Sequence, residues 1–165
     1  MPRLLASDAA ARRHSTVLDH AWIAAHIPHQ GSMCLLDAVG DWSAEAITCT
    51  ASSHTDPANP LRANHRLGAA NGIEYAAQAM AIHGALLAGH DDQPRQGYLT
   101  SVRGVTLHVA RLDDLPGELL VRAERLSGDA NNILYQFSVS HAGRCLLEGR
   151  AAVVLDASAI SKEQP

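Results

Sequence analysis

Lysine is almost missing from this chain: Lys162 is its single copy, and the other basic residues are arginines spread along the sequence. With a formal net charge of −4 there is no basic face for a nucleic acid. Long apolar runs are missing too. No stretch approaches the roughly 18 residues of a membrane span, and Leu4-Leu5-Ala6 runs at once into Ser7 and Asp8, without the apolar core of a secretion signal. Cysteine is scarce and odd in number. Cys34, Cys49 and Cys145 are far apart in apolar surroundings, which reads as reduced thiols in a cytoplasmic protein and not as a disulfide framework. Glycine-rich phosphate loops are absent, so no nucleotide cofactor is expected. Ten histidines raise the question of metal. His26-Ile27-Pro28-His29 is broken by proline, however, and no other pair has ligand spacing, so no metal site is expected.

What is present is a chain of 165 residues with 47% hydrophobic and 18% charged residues, enough for one domain with a full core. Residues 1–16 lack periodicity and read as a loose arm, 17–157 as the domain and 158–165 as a tail. Apolar residues at 18, 22, 23 and 27 predict a short helix ended by Pro28. Residues 33–39 and 46–51 read as a strand pair. Residues 52–68, with two Asx-Pro steps, read as a long irregular loop, and loops of that length in small domains tend to carry function. Four strands are expected after residue 100, near 102–109, 119–126, 133–139 and 145–155, with turns between them.

Between the two strand groups lies the most informative segment, Gly72-Ile73-Glu74-Tyr75-Ala76-Ala77-Gln78-Ala79-Met80. Residues 71–87 are small or apolar on every side, with polar breaks at Glu74, Gln78 and His83, which predicts a buried helix. A single long helix within an antiparallel sheet must be wrapped by it, giving an α+β architecture. Glu74 and Gln78 lie four apart and share a face. A carboxylate in such a place, with no basic residue within a turn of it, is expected to have a raised pKa and so to exchange protons near neutral pH. The other reading of Glu74 is a structural carboxylate satisfied by a backbone or Arg partner.

These residues carry a resemblance. Ile27-Pro28-His29-Gln30 followed by Met33-Cys34-Leu35-Leu36-Asp37-Ala38-Val39 resembles the Leu-Pro-His-Arg…Phe-Leu-Leu-Val-Asp-Arg-Val opening of the hotdog-fold 3-hydroxyacyl-acyl-carrier-protein dehydratases. Glu74-Tyr75-Ala76-Ala77-Gln78 resembles their Glu-Ala-Met-Ala-Gln helix. The likeness is closer to the divergent dehydratase-like branch of aryl-polyene-type clusters, where the helix opens Gly-Ile-Glu-Tyr and a later strand carries Leu-His-Val, like Leu107-His108-Val109.

The resemblance implies a hotdog fold and the dehydration of 3-hydroxyacyl thioesters, bound to an acyl carrier protein, to trans-2-enoyl thioesters. Glu74 matches the catalytic carboxylate. The family's Gly-His-Phe-Pro motif is missing, Pro60 standing in place of its His, so the base passes to His29, with His65 and His54 as loop alternatives. His29 also has a structural reading, bonding the turn before the first strand. The backbone donors at the head of the helix, Ala69, Ala70 and Gly72, are expected to face the thioester oxygen, with Gln78 and His65 completing the substrate-binding set. A homodimer or higher oligomer is expected, since an open sheet edge invites pairing. A heterodimer with another hotdog subunit is the variant of that expectation. The alternative functions are a non-catalytic acyl-binding subunit completing a partner's site, and an acyl thioesterase.

Overall fold

The structure, a computed structural model, describes residues 18–89, 97–129 and 131–155. The expected arm (1–16) and tail (158–165), and residues 90–96 after the long helix, lie outside the described residues. Seven strands form one antiparallel sheet in the order β1-β2-β3-β5-β6-β7-β4: β1 (Leu18–Asp19), β2 (Ala38–Trp42), β3 (Ala46–Ala51), β4 (Tyr98–Leu107), β5 (Leu119–Gly128), β6 (Asn132–His141) and β7 (Arg144–Val154). Two helices accompany it, α1 (His20–His26) and α2 (Gly72–Ala88). Among the described residues, no helix is long and apolar enough to cross a membrane.

The strands follow the period-2 pattern of a sheet with one covered face. Ile47, Cys49 and Ala51 of β3, Leu119, Val121 and Ala123 of β5, and Ile133, Tyr135, Phe137 and Val139 of β6 are buried. They close over α2, which packs on β3, β5 and β6 through Tyr75, Ala76, Ala79, Met80, Ile82 and His83. His83 is tolerated at 0% exposure because both ring nitrogens are used, Nδ1 with the Tyr135 hydroxyl and Nε2 with the Ser43 carbonyl, each at 2.7 Å. This is the expected α+β hotdog arrangement, with one difference. The wrapping of α2 is incomplete: Glu74, Ala77, Ala81 and Ala85 face a groove beside β4 and are only half-buried.

Three local expectations are corrected. The strand read at 33–39 begins only at Ala38, because Met33 and Leu35 bond to the Gln78 side chain of α2 instead of to a neighbouring strand. The segment 52–68 is not irregular throughout. Ser53–Thr55 is a single helical turn with His54 buried in it, and Asn59 is buried, donating to the Ser53 carbonyl and the Tyr75 hydroxyl. Asn64 and His65 form a two-residue turn of positive φ (52° and 61°) between the bridged Ala63 and Arg66. Finally, β4 is longer than expected and starts at Tyr98, with Tyr98, Leu99 and Leu107 all at least 40% exposed on an edge strand.

Gly72 opens α2 where it meets β7. A Cβ there would sit 2.5 Å from Leu147 Cδ2, and Leu147 is fully buried. Overpacking of this kind costs about 1–3 kcal/mol, against a helix-propensity gain of about 1 kcal/mol for alanine. Gly72→Ala is therefore expected to lower stability by up to about 2 kcal/mol, read as a lower denaturant midpoint at unchanged slope.

Candidate active site

Two distant segments meet at the head of α2. Glu74 lies in the first turn of the helix, at the end whose exposed N–H groups favour a negative charge. His29 lies in the turn after α1, where Ile27 caps the helix and Pro28 prevents its continuation. Its Nε2 is 3.1 Å from Glu74 Oε1.

Gln78 makes this meeting possible. Its Oε1 accepts from the Leu35 N–H at 2.9 Å, and its Nε2 donates to the Met33 carbonyl at 2.7 Å and to Glu74 Oε1 at 3.3 Å. One fully buried amide thus fastens the 33–35 segment to α2 and steadies the carboxylate one turn away. Its polar atoms are all engaged within the protein, which runs against the expected substrate-binding role of Gln78.

The electrostatics reverse the sequence expectation for Glu74. The hydrogen bond from His29 holds its carboxyl below the usual carboxylate range; burial pushes the other way, and Gln78 adds to the lowering. The expected rise rested on a helix without basic neighbours in sequence, and the fold supplies one from another segment. The side chain also keeps 34% of its exposure, so desolvation is partial. On His29, Nδ1 is buried and has no hydrogen-bond partner. In the tautomer that directs only Nε2–H at Glu74, Nδ1 is the ring atom that bears the lone pair.

A cavity of about 390 Å³ opens beside the pair, between α2 and the start of β4. His29, Glu74, Ala77, Ala81, Tyr98 and Leu99 line it. The floor could have been read from the alanines at 77, 81 and 85, one per turn. The wall formed by Tyr98 and Leu99 could not, because it depends on the antiparallel return of β4 along β7.

The remaining expected site residues behave differently. The Ala69 N–H is already bonded to the Ala110 carbonyl at 3.0 Å, and the Gly72 N–H to the carbonyls of Ala69 and Ala70. Neither is a free donor for a thioester oxygen, which corrects that expectation; Ala70 is exposed. His65 is exposed at the tip of its turn, and neither it nor His54 lines the cavity. His54 is buried, bonded through Nε2 to the Leu115 carbonyl at 2.8 Å, and its pKa is lowered by that burial.

The sequence model of the ApeP-like family, described as ApeP dehydratase, matches residues 21–162. The ApeI:P dehydratase heterocomplex from Xenorhabdus doucetiae is similar in structure, with a TM-score of 0.71 and 21% identity, over 81% of this chain and 90% of that one. A thioesterase from Haemophilus influenzae gives a TM-score of 0.53 and 11% identity, over 79% of this chain and 80% of that one. A mutant thioesterase from Pseudomonas aeruginosa gives 0.51 and 13%, over 70% and 78%. At these identities the structures show a shared hotdog fold. Among curated proteins, none matches the chain.

The His29 contact has a measurable signature. In a carbon-detected NMR titration the Glu74 carboxyl is expected to titrate below 4.5, and His29→Ala to move the midpoint upward. Because the folded value is depressed, the contribution of the pair to stability is complete above about pH 4.5 and fades as pH falls through the folded value. Glu74→Gln should therefore remove that part of the acid-side decline in Tm. A midpoint above 4.5 in the native chain would reverse this assignment.

Proposed function

The chain belongs to the ApeP-like dehydratase family, and we propose that it dehydrates 3-hydroxyacyl thioesters held on an acyl carrier protein, yielding the trans-2-enoyl thioester and water. The observation that carries this reading is the His29–Glu74 pair at the mouth of a largely apolar groove. The thioester end of a substrate would lie by the pair, with the acyl chain along Ala77, Ala81 and Ala85.

The depressed pKa of Glu74 changes the division of labour expected from sequence. A carboxylate that stays ionised is a poor proton donor. In the proposed mechanism neutral His29 is the base. It takes the proton alpha to the thioester carbonyl at Nδ1, since Nε2 is committed to Glu74, and entry of the substrate must first uncover that buried nitrogen. The Cα–H electron pair becomes the new double bond, and the bond to the β-hydroxyl breaks. The imidazolium, stabilised by the Glu74 carboxylate, returns its proton to the departing hydroxyl, which leaves as water. Glu74 thus fixes the ring and its tautomer, as a carboxylate does behind a catalytic imidazole.

The proposed partner is a second hotdog subunit, laid along β4. Two observations support it: the exposed Tyr98, Leu99 and Leu107 on a ten-residue edge strand, and the groove left open beside that edge. A relative by structure is the ApeI:P dehydratase heterocomplex. The second reading, a subunit that only completes its partner's site, is favoured by Pro60 standing where the family His is expected.

A 3-hydroxyacyl thioester offered to the purified chain, alone and with a hotdog partner, separates these readings. Growth of enoyl absorbance marks a lyase; released thiol marks a thioesterase. General-base removal typically lowers rate by a factor of ~10²–10⁴, so His29→Ala should lose that much, Glu74→Gln a comparable amount, and His65→Ala little. Turnover that survives both His29→Ala and Glu74→Gln would assign the chemistry to the partner.

A further inference from the structure

The Leu107-His108-Val109 motif plays no part in the groove, and it leads to a cluster at the far end of β4. There β7 carries an extra residue. Along β6, Val139 and Ser140 are adjacent, yet their partners on β7 are Leu147 and Cys145. The bulge breaks the alternation, so that Leu146 and Leu147 are both buried. It also turns Cys145 to the side of Glu148, a residue three positions away that a regular strand would place on the opposite face. Cys145 Sγ donates to Glu148 Oε2 at 3.2 Å. His108 completes the set from the residue that follows the neighbouring strand β4, its N–H anchored to the Leu146 carbonyl at 2.8 Å. The ligand atoms of His108, Cys145 and Glu148 all lie within 4.8 Å of one another.

We propose that His108, Cys145 and Glu148 form a binding site for a divalent transition-metal ion of the zinc class, which staples the end of β4 to β7. The donor set is one imidazole nitrogen, one thiolate and one carboxylate, which suits zinc and disfavours the hard cations magnesium and calcium. At ordinary zinc–ligand lengths a tetrahedron separates its ligands by about 3.3–3.8 Å. The cluster reaches that by a rotamer adjustment on the order of 1 Å, and water takes the fourth corner, because His108 and Glu148 are exposed. Charge is consistent with this. The ion is balanced by thiolate and carboxylate, the thiol proton passing to solvent, which leaves a neutral site on a strand pair that also carries Arg103, Arg144 and Arg150. Spacing alone did not reveal the set, since one ligand lies just past the end of β4 and two on β7.

The test does not involve turnover. Untagged protein is titrated with cobalt(II) and then with zinc. The expected result is a thiolate-to-cobalt charge-transfer band saturating at one equivalent per chain and abolished by zinc. Zinc should also protect Cys145 from alkylation, located by peptide mass, while Cys34 and Cys49 are buried in the core. His108→Ala and Glu148→Gln should each weaken binding by at least about tenfold, and Glu148→Asp should restore part of it; circular dichroism checks that each variant is folded. No charge-transfer band, or a band unchanged in both His108→Ala and Glu148→Gln, would overturn the proposal and leave an ordinary surface thiol.

Discussion

The Gln78 amide is the constraint on which the site depends. It is buried, and it bonds at once to the carbonyl of Met33, the N–H of Leu35 and the carboxylate of Glu74. Without it the Leu35 N–H would be buried and unpaired, at a cost of about 1–3 kcal/mol, and the half-buried Met33 carbonyl would lose its donor. The turn bearing His29 would then lose its fixed approach to α2. The geometry of the His29–Glu74 pair and the stability of the fold are therefore linked through one side chain, and a change at Gln78 cannot alter one alone.

The same economy explains what is left incomplete. The sheet hides three sides of α2 but stops short of Glu74, Ala77, Ala81 and Ala85. The strand that would finish the wrapping is β4, whose outer edge has no neighbour among the described residues. An open groove and an unpaired edge on the same strand are one fact seen from two sides: the surface that could receive a chain also lies where a second subunit would dock.

Much of this was legible in the sequence, and the failures share a cause. The α2 pattern, the alternation of β5 and β6, and the matched Ile-Pro-His and Gly-Ile-Glu-Tyr segments are local signals, read over a few residues. The lowered pKa of Glu74 was not legible, because its cause is His29, a neighbour in space from another part of the chain. The false strand at 33–35 failed for the same reason, its hydrogen bonds going to α2. Ala69 and Gly72 failed as free donors because the fold itself uses their N–H groups. Periodicity carries the elements; the partners of individual polar atoms belong to the tertiary structure.

The alanines along the groove set a length. Ala77, Ala81 and Ala85 each present only a methyl group to the cavity, so the depth of the floor is fixed by three Cβ atoms. At the helical rise, eight residues span about 12 Å, on the order of ten bonds of an extended hydrocarbon. The helix is thereby a ruler graduated in turns, on which a larger side chain at any one of the three marks would shorten the scale from that point onward and leave the His29–Glu74 pair where it is.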